Sequence, residues 1–230
     1  MATIGIVGGL GPEGTIHYYR KLTAHLSGQW PHAERRPGVV IDHVWMDCFA
    51  AQLRAGADSQ IIALLSDSLD RLAMAGADVA LIAAVTPHKF LTALNNRSSL
   101  PVVDMAEATR KGILAAGHTK VGLIGTKMTL TENFFKDVLE KSGIHVAVPP
   151  QDDISFLNDL IFGELATGVK TPATRARIAQ IVTALMQHAD ALVVACTDLM
   201  DLIDPSVAVI DPIECHIHHA AAMLADSVGS

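Results

Sequence analysis

Aromatic side chains are scarce in this chain. They make up 4% of its 230 residues, although 50% of the residues are hydrophobic. The core must therefore consist mainly of Ala, Val, Leu and Ile, which is typical of parallel sheets covered by helices on both faces. The length suits one large or two small domains and allows a substantial buried core.

Blocks of basic charge are also missing. The formal net charge is −7, and no cluster of Lys and Arg is interleaved with aromatic residues, so we expect no binding to nucleic acid. No uninterrupted apolar run reaches the length of a membrane span. The segment Met1–Ile4 lacks the charged and apolar regions of a signal peptide. We therefore expect a soluble, cytoplasmic protein without a membrane partner.

Cysteine is sparse and scattered. The three cysteines, Cys48, Cys196 and Cys215, form no Cys-x-x-Cys pair and are too few for a disulfide framework. Each of them is therefore either a small core residue or a reactive thiol.

A metal site is not expected, although a cysteine and three histidines lie close together near the end of the chain. On a helix, Cys215 and His219 share one face, whereas His216 and His218 do not. No second cluster of ligands completes a tetrahedral shell.

Apolar runs typical of strands alternate with helical patterns, which indicates parallel sheets with right-handed crossovers. The predicted strands are Thr3–Gly8, Val39–Val44, Val79–Val85, Val102–Met105, Val121–Gly125, His145–Val148, Leu192–Ala195 and Val207–Ile210. The predicted helices are Glu13–His25, Asp58–Met74, Pro87–Leu94, Ala106–Ala115, Leu130–Ser142, Phe156–Thr167, Pro172–Gln187 and Glu214–Ala225. Asp58 or Ser59 is the expected N-cap of the second helix, and Gly76 is expected to end it.

The chain contains an internal repeat. Residues 76–84 align with residues 188–196 without a gap, and residues 3–9 align with residues 120–126. In the longer pair an Ala-Asp precedes an apolar run, and that run leads to Cys196 in the second copy but to Ala84 in the first.

The repeat predicts an α/β fold of two pseudo-symmetric lobes, each a parallel sheet flanked by helices. The active site is expected in the cleft between them, at the carboxyl ends of the strands, where open α/β sheets bind ligands. The last helix follows the second repeat, so we expect it to return to the first lobe. The predicted lobes are residues 1–104 plus 212–230, and residues 105–211.

Cys196-Thr197-Asp198 follows a predicted strand of the second lobe. A thiol at a strand end points into the cleft, and amides of the following turn can lower its pKa. Thr197 can donate a hydrogen bond to a carboxylate. The alternative is that Cys196 is a small buried residue at the strand end.

Thr86-Pro87-His88 occupies the matching place in the first lobe. Thr86 is a candidate anion-binding hydroxyl, and Pro87 suits the first turn of a helix. His88 could be a general acid or base, or could hold a partner in place. The alternative is a histidine that faces solvent at the helix start. Ala84 cannot move a proton.

Gly8-Gly9-Leu10-Gly11-Pro12 forms a glycine-rich turn after the first strand. We expect Gly9 to let a small ligand lie against backbone amides. A phosphate cradle for a nucleotide is the weaker alternative, because the Lys-Ser/Thr pair of a P-loop and the third glycine of a dinucleotide fingerprint are missing.

Thr126, Lys127 and Thr129 follow the equivalent strand of the second lobe. Hydroxyls and free amides at a helix start suit a substrate carboxylate. The alternative is an ordinary helix cap in which Thr129 or Thr131 bonds to the helix.

Together these motifs resemble the aspartate/glutamate racemase superfamily. The resemblance rests on Gly-Gly-x-Gly-Pro, Thr-x-His, Gly-Thr-x-x-Thr and Cys-Thr-Asp, and on Ile210-Asp211-Pro212 before the last helix. It implies two α/β lobes, no cofactor, a homodimer, and an amino acid or small carboxylate as substrate. It also implies that one cysteine thiolate removes the α-proton from one face and a second cysteine returns a proton to the opposite face.

The resemblance assigns roles residue by residue. Cys196 matches the cysteine of the second lobe, and Thr197 the threonine that follows it. In the Cys-Asn-Thr-x-His motif of the first lobe the cysteine is replaced by Ala84 and the asparagine by Val85. The expected catalytic residues are Cys196, His88 and Thr86, and the expected substrate-binding residues are Gly9, Thr86, Thr126, Lys127, Thr129 and Thr197.

Three functions are compatible with this pattern. The preferred one is an amino-acid racemase with Cys196 on one face and His88, Thr86 or a water on the other. The second is a cofactor-free decarboxylase resembling arylmalonate decarboxylase, which needs a single cysteine and would suit the more apolar first lobe around Val85. The third is a non-catalytic binder of a small carboxylate.

Overall fold

The structure, a computed structural model, describes residues 2–32, 34 and 36–228. The chain divides into two compact units. The first contains the residues up to Asp104 and those from His216 onward, and the second is Met105–Cys215. The sequence analysis placed the return to the first lobe at residue 212, and the structure places it inside the last helix.

The first unit is built on a three-stranded parallel sheet with the strand order β2-β1-β3. A 3₁₀ helix, Thr86–Phe90, follows the last of these strands. The other elements are β1 (Thr3–Gly8), α1 (Pro12–Gln29), β2 (Gly38–His43), α2 (Met46–Arg54), α3 (Asp58–Met74), β3 (Val79–Ile82) and α4 (Leu91–Asn95).

The second unit is built on a four-stranded parallel sheet with the order β5-β4-β6-β7. A 3₁₀ helix, Leu165–Thr167, precedes α9, and the last helix begins in this unit and continues in the first. The elements are α5 (Met105–Ala115), β4 (Lys120–Gly125), α6 (Lys127–Thr131), α7 (Asn133–Glu140), β5 (His145–Ala147), α8 (Gln151–Phe162), α9 (Pro172–Met186), β6 (Ala191–Ala195), α10 (Thr197–Met200), β7 (Val209–Ile210) and α11 (Pro212–Val228).

The predicted fold class is confirmed: the protein is an α/β protein with two parallel sheets flanked by helices. Its core is aliphatic, as the shortage of aromatic residues predicts. Every residue of β3 and of β6 is buried. Tyr18 and Phe135 are aromatic exceptions among the largest fully buried side chains, which are otherwise Ile and Leu.

The internal repeat is visible in the strand registers. In the first unit Val7 of β1 lies opposite Ile82 of β3, and in the second unit Ile124 of β4 lies opposite Val194 of β6. These are the residues that the sequence repeat aligns with each other. Ala84 therefore stands after β3 where Cys196 stands after β6.

Three of the predicted strands, β3, β5 and β7, are shorter than expected, and a fourth does not form. β3 ends at Ile82 because the chain bends over residues 83–85 before the 3₁₀ helix. The predicted strand Val102–Met105 is wrong, since only a single bridge joins Val102 to Ala80 and Met105 already begins α5.

The second unit also differs from the prediction in its helices. The predicted helix Leu130–Ser142 is divided into α6 and α7 because Glu132 has an extended backbone, with φ −94° and ψ 157°. The helix predicted from Phe156 begins earlier, at Gln151, so that Asp152 and Asp153 lie in the first turn of α8. Negative charge is favourable there, and Asp153 also forms an ion pair with Arg177 of α9.

The ends of α3 give one confirmed and one wrong prediction. Gly76 ends the helix with φ 85°, and the N–H of Ala77 donates to the carbonyl of Leu72 at 3.0 Å, as in a glycine-terminated helix. The predicted N-cap is wrong, because Ala57 holds that position without a side-chain hydrogen bond and Asp58 is already helical.

Among the residues that the structure describes, no helix combines the length and the apolar character needed to cross a membrane.

The core of the second unit gives a direct test of the packing. Phe135 of α7 is fully buried, so Phe135→Ala should lower the free energy of unfolding by about 3–5 kcal/mol through lost contacts and a cavity. The neighbouring Phe134 is only partly buried, and Phe134→Ala is the matched control with a clearly smaller loss. Urea unfolding of both variants measures the difference, and equal losses would contradict this description of the core.

Candidate functional site

The turns after β1, β2 and β3 lie at one edge of the first sheet. The N–H of Val44, just after β2, donates to the carbonyl of Gly8 at 2.9 Å. The N–H of Ala83, just after β3, donates to the carbonyl of Val7 at 2.9 Å. This is the carboxyl edge of a parallel sheet, where ligands bind in open α/β folds.

Gly9 shapes the first of these turns. Its φ is 83°, and a Cβ atom at this position would collide with the carbonyl of Val44 and lie 2.8 Å from the ring of His43, so only glycine fits. The N–H of Gly9 donates to Oγ1 of Thr15 at 2.8 Å. The amide that we expected to hold a ligand is therefore already used inside the turn.

The third turn carries Ala84 and Thr86. Ala84 is partly buried and packs against the apolar core of the first unit. Thr86 is partly exposed and begins the 3₁₀ helix, with Pro87 in its first turn as predicted. The turn therefore offers a hydroxyl at the sheet edge but no thiol.

His88 lies in the interior of the first unit. It is 5% exposed, so the alternative of a solvent-facing histidine is wrong. Burial lowers the pKa of His88 to about 4, and the opposing effects of the Asp104 carboxylate and the Ile82 carbonyl do not compensate. Among the residues that the structure describes, neither ring nitrogen has a partner in hydrogen-bonding geometry. His88 is therefore a neutral and weak base at neutral pH.

His216 and Tyr18 lie next to His88, and the sequence analysis did not select either residue. The ring of His216, from α11, is 5.3 Å from the ring of His88. Its Nδ1 lies 2.8 Å from the hydroxyl of Tyr18, and its Nε2 lies 3.0 Å from the carbonyl of Val103. Burial, followed by the neighbouring His88, lowers the pKa of His216 well below its usual value.

A sequence signal for His216 exists in the periodicity of α11. The apolar residues Ile213, Ile217, Ala220 and Leu224 recur at helical spacing and are all buried. His216 precedes Ile217 and lies three residues after Ile213, on the same side of the helix. Comparing the histidines with this apolar face, rather than with each other as metal ligands, would have indicated that His216 is buried.

Thr126 and Cys196 follow paired residues at the carboxyl edge of the second sheet. Gly125, the last residue of β4, is paired with Ala195, the last residue of β6. Thr126 and Cys196 are therefore the first residues after two neighbouring strands of the second unit.

Thr126 is the N-cap of α6. Its Oγ1 accepts a hydrogen bond from the N–H of Thr129 at 3.4 Å and lies 3.1 Å from the hydroxyl of Thr129. Thr129 is fully buried, so it supports the cap from inside. The hydroxyl of Thr131 bonds instead to the carbonyl of Lys127. A helix cap is therefore present, but the capping residue is Thr126 rather than Thr129 or Thr131.

Lys127 is the first residue of α6 and is exposed. Its backbone N–H donates to Oδ1 of Asn158 at 3.2 Å. Lys127 directly follows Thr126 at the carboxyl edge of the second sheet. A positive charge at this edge favours a carboxylate ligand.

Cys196 precedes α10 with an extended backbone, φ −156° and ψ 123°. Burial, followed by the carboxylate of Asp198, raises the pKa of the Cys196 thiol to about 12. The amides of Asp198 and Leu199 act in the opposite direction. The following amides therefore lower this pKa as expected, but loss of hydration outweighs them and the net shift is upward. Part of the residue still reaches solvent.

The other two cysteines differ from Cys196 in position. Cys48 is exposed on α2. Cys215 packs against Gly112, and burial together with Asp211 and Glu214 raises the pKa of its thiol to about 11. Neither of them directly follows a strand, since Cys48 lies within α2 and Cys215 within α11. In the described part of the chain, no group of three or more His, Cys, Asp or Glu side chains is arranged to hold a metal ion.

Two parallel α/β units with polar turns at their carboxyl edges define a class of small-molecule-binding proteins. The chain belongs to the Asp/Glu/hydantoin racemase family, whose sequence profile matches residues 7–220. The resemblance that the motifs indicated is thereby confirmed at the level of the superfamily.

Individual relatives match over nearly the whole chain. The broad-specificity amino-acid racemase RacX of Bacillus subtilis is 24% identical over 224 residues, which cover 92% of this chain and 93% of RacX. A crystal structure assigned to the Asp/Glu racemases, from Yersinia pestis, is 28% identical with a TM-score of 0.87 and coverage of 97% and 99%. An aspartate racemase homologue from Pyrococcus horikoshii is 30% identical with a TM-score of 0.79 and coverage of 98% and 100%.

The raised pKa of Cys196 can be tested by alkylation. A thiol with a pKa of about 12 is almost entirely protonated at mildly alkaline pH, and only the thiolate reacts with iodoacetamide. We expect the exposed Cys48 to be modified much faster than Cys196, and the rate at Cys196 to keep rising with pH up to the limit of folding. Peptide mass spectrometry follows each site separately.

Asp198→Asn provides the matched variant for this measurement. Removing the carboxylate charge should lower the pKa of Cys196 and speed its alkylation several-fold at a given pH, while the rate at Cys48 stays unchanged. Alkylation of Cys196 that is as fast as that of Cys48 in the unmodified protein would contradict a protonated, buried thiol.

Proposed function

We propose that this chain is a cofactor-independent amino-acid racemase in which Cys196 is one of the proton-transferring groups. Membership of the Asp/Glu/hydantoin racemase family supports the reaction. The observation that carries the assignment of Cys196 is its place after β6, in the register that Ala84 occupies after β3. RacX is a broad-specificity amino-acid racemase, which favours racemisation over decarboxylation or simple binding.

The reaction requires an acid and a base on opposite faces of the α-carbon. We assign one face to Cys196. The proposed carboxylate ligands are Lys127 and the hydroxyls of Thr126 and Thr197, at the carboxyl edge of the second sheet, and the hydroxyl of Thr86, at that of the first. Thr129 is assigned a supporting role within the cap of Thr126, and Gly9 a role in shaping its turn.

The protonation state of Cys196 decides whether it more readily donates a proton to the α-carbon or removes one from it. With a pKa of about 12 the unliganded thiol is protonated, so it can donate a proton to a carbanion-like intermediate. To act as a base it must first lose its proton. The ammonium group of a bound amino acid favours the thiolate electrostatically, and we propose that substrate binding prepares Cys196 in this way.

The opposite face lacks a thiol because Ala84 has no ionisable group. Of the candidates in the first unit, His88 is buried and a weak base, with a pKa of about 4, whereas Thr86 is partly exposed. We therefore propose that the hydroxyl of Thr86, or a water beside it, serves this face. A hydroxyl is a poorer proton carrier than a thiol, so slow turnover is expected.

Proton exchange in deuterium oxide tests the proposal. Incubation with single amino acids should replace the α-proton by deuterium and invert the configuration, because deprotonation on one face is followed by reprotonation on the other. Proton NMR and chiral chromatography follow the two events separately. Cys196→Ala should abolish both, while the exposed Cys48→Ala control keeps full activity. Full activity of Cys196→Ala would contradict the assigned role.

A second variant tests the role of position 84, which is equivalent to Cys196 in the internal repeat. Ala84→Cys introduces a thiol at the place equivalent to Cys196, so inversion should become faster relative to α-proton exchange. Ala83→Cys is the matched control, because Ala83 is the adjacent residue and is buried in the core. Equal rates in both cysteine variants would contradict a role for position 84.

A further inference from the structure

A small polar network is buried in the mainly apolar core of the first unit. Tyr18 and His216 are both 0% exposed, and His88 is 5% exposed. Taking such groups out of water costs free energy unless they are hydrogen-bonded. His216 is fully bonded, and its two partners come from separate segments of the chain, α1 and the segment before α5.

The hydrogen bonds of His216 define its tautomer. The carbonyl of Val103 can only accept, so Nε2 of His216 carries the proton and donates to it across 3.0 Å. Because burial keeps the ring neutral, Nδ1 has a free lone pair. The hydroxyl of Tyr18 therefore donates to Nδ1 across 2.8 Å. Both nitrogens are engaged, and the ring cannot flip without breaking two buried hydrogen bonds.

The immobilised ring of His216 stands against His88. The two ring planes are 74° apart with centroids separated by 5.3 Å, an edge-to-face contact. The backbone N–H of His88 donates to the carbonyl of Val85 at 3.0 Å. This hydrogen bond closes the first turn of the 3₁₀ helix that Thr86 begins. Thr86 and His88 therefore belong to the same short helix, and the packing of the His88 ring helps to fix the turn that holds Thr86.

We propose that Tyr18 and His216 are positioning residues for the reaction, which hold His88 and, through it, the Thr86 turn in its working place. This inference rests on the proposed function, since it concerns the proton-transferring side of the first unit. Neither residue touches the substrate in this scheme. They act by keeping the hydroxyl of Thr86 within reach of the α-carbon, and small displacements of such a group have large effects on rate.

Tyr18→Phe and His216→Phe test the proposal in the full-length protein. Tyr18→Phe removes one hydroxyl from the network, and His216→Phe removes both hydrogen bonds but keeps an aromatic ring. We expect kcat for inversion to fall about 10-fold in Tyr18→Phe and further in His216→Phe, because misplacement affects the proton-transfer step. KM should change little, because most of the proposed carboxylate ligands lie in the second unit.

His216→Gln is the rescue variant. A carboxamide can place a donor near the position of Nε2 and restore the bond to the Val103 carbonyl, so its kcat should lie between those of His216→Phe and the unmodified protein. Ser68→Ala is the matched control, because Ser68 is 0% exposed and its hydroxyl donates to Asp42 at 2.6 Å, in the same unit but outside the network. It should lose stability without losing kcat per folded molecule.

The possible outcomes distinguish a failure of the positioning role from a failure of the proposed racemase function. If the unmodified protein exchanges and inverts an amino acid while Tyr18→Phe and His216→Phe keep full kcat per folded molecule, the positioning role is wrong and the proposed function stands. An equal loss of kcat in Ser68→Ala and Tyr18→Phe would also contradict the positioning role, because it would show that any loss of a buried hydrogen bond in this unit has the same effect. If the unmodified protein neither exchanges nor inverts any amino acid, the proposed function fails and this inference fails with it.

Discussion

The pairing of the central strands is the constraint on which every candidate site residue depends. β1 pairs with β3, and β4 pairs with β6, in equivalent registers. A slip of one residue would turn each buried side chain to the other face of its sheet and shift the turn that follows. Because the strands are parallel, these turns leave each sheet at one edge, and Thr126 and Cys196 directly follow two neighbouring strands of the second sheet.

Loss of hydration is the largest influence on the two buried groups that were expected to be catalytic, Cys196 and His88. It raises the pKa of the Cys196 thiol to about 12 and lowers that of the His88 imidazole to about 4. The directions are opposite because burial disfavours the charged form, which is the deprotonated thiol but the protonated imidazole. Both groups are therefore neutral at neutral pH.

Much of the framework could be predicted because it is encoded in local patterns. Alternating apolar runs and helical segments identified β1, β4, β6 and α3, and the gapless repeat aligned Ala84 with Cys196 before any register was known. The predictions that were wrong depend on distant contacts. Val102 forms only one bridge, although it looks like part of a strand. Packing also engages the amide of Gly9, which donates to Thr15, and buries His216 of α11.

The sequence by itself determined the α/β class, the positions of the central strands and the presence of a thiol where its counterpart is a methyl group. These properties depend on the order and spacing of side chains along the chain, which local periodicity expresses directly. The tertiary structure alone decided that Cys196 is protonated, that His88 is shielded from solvent and that Tyr18 and His216 form one network. Desolvation and long-range hydrogen bonds arise only when segments far apart in the chain pack together, so no local pattern can encode them.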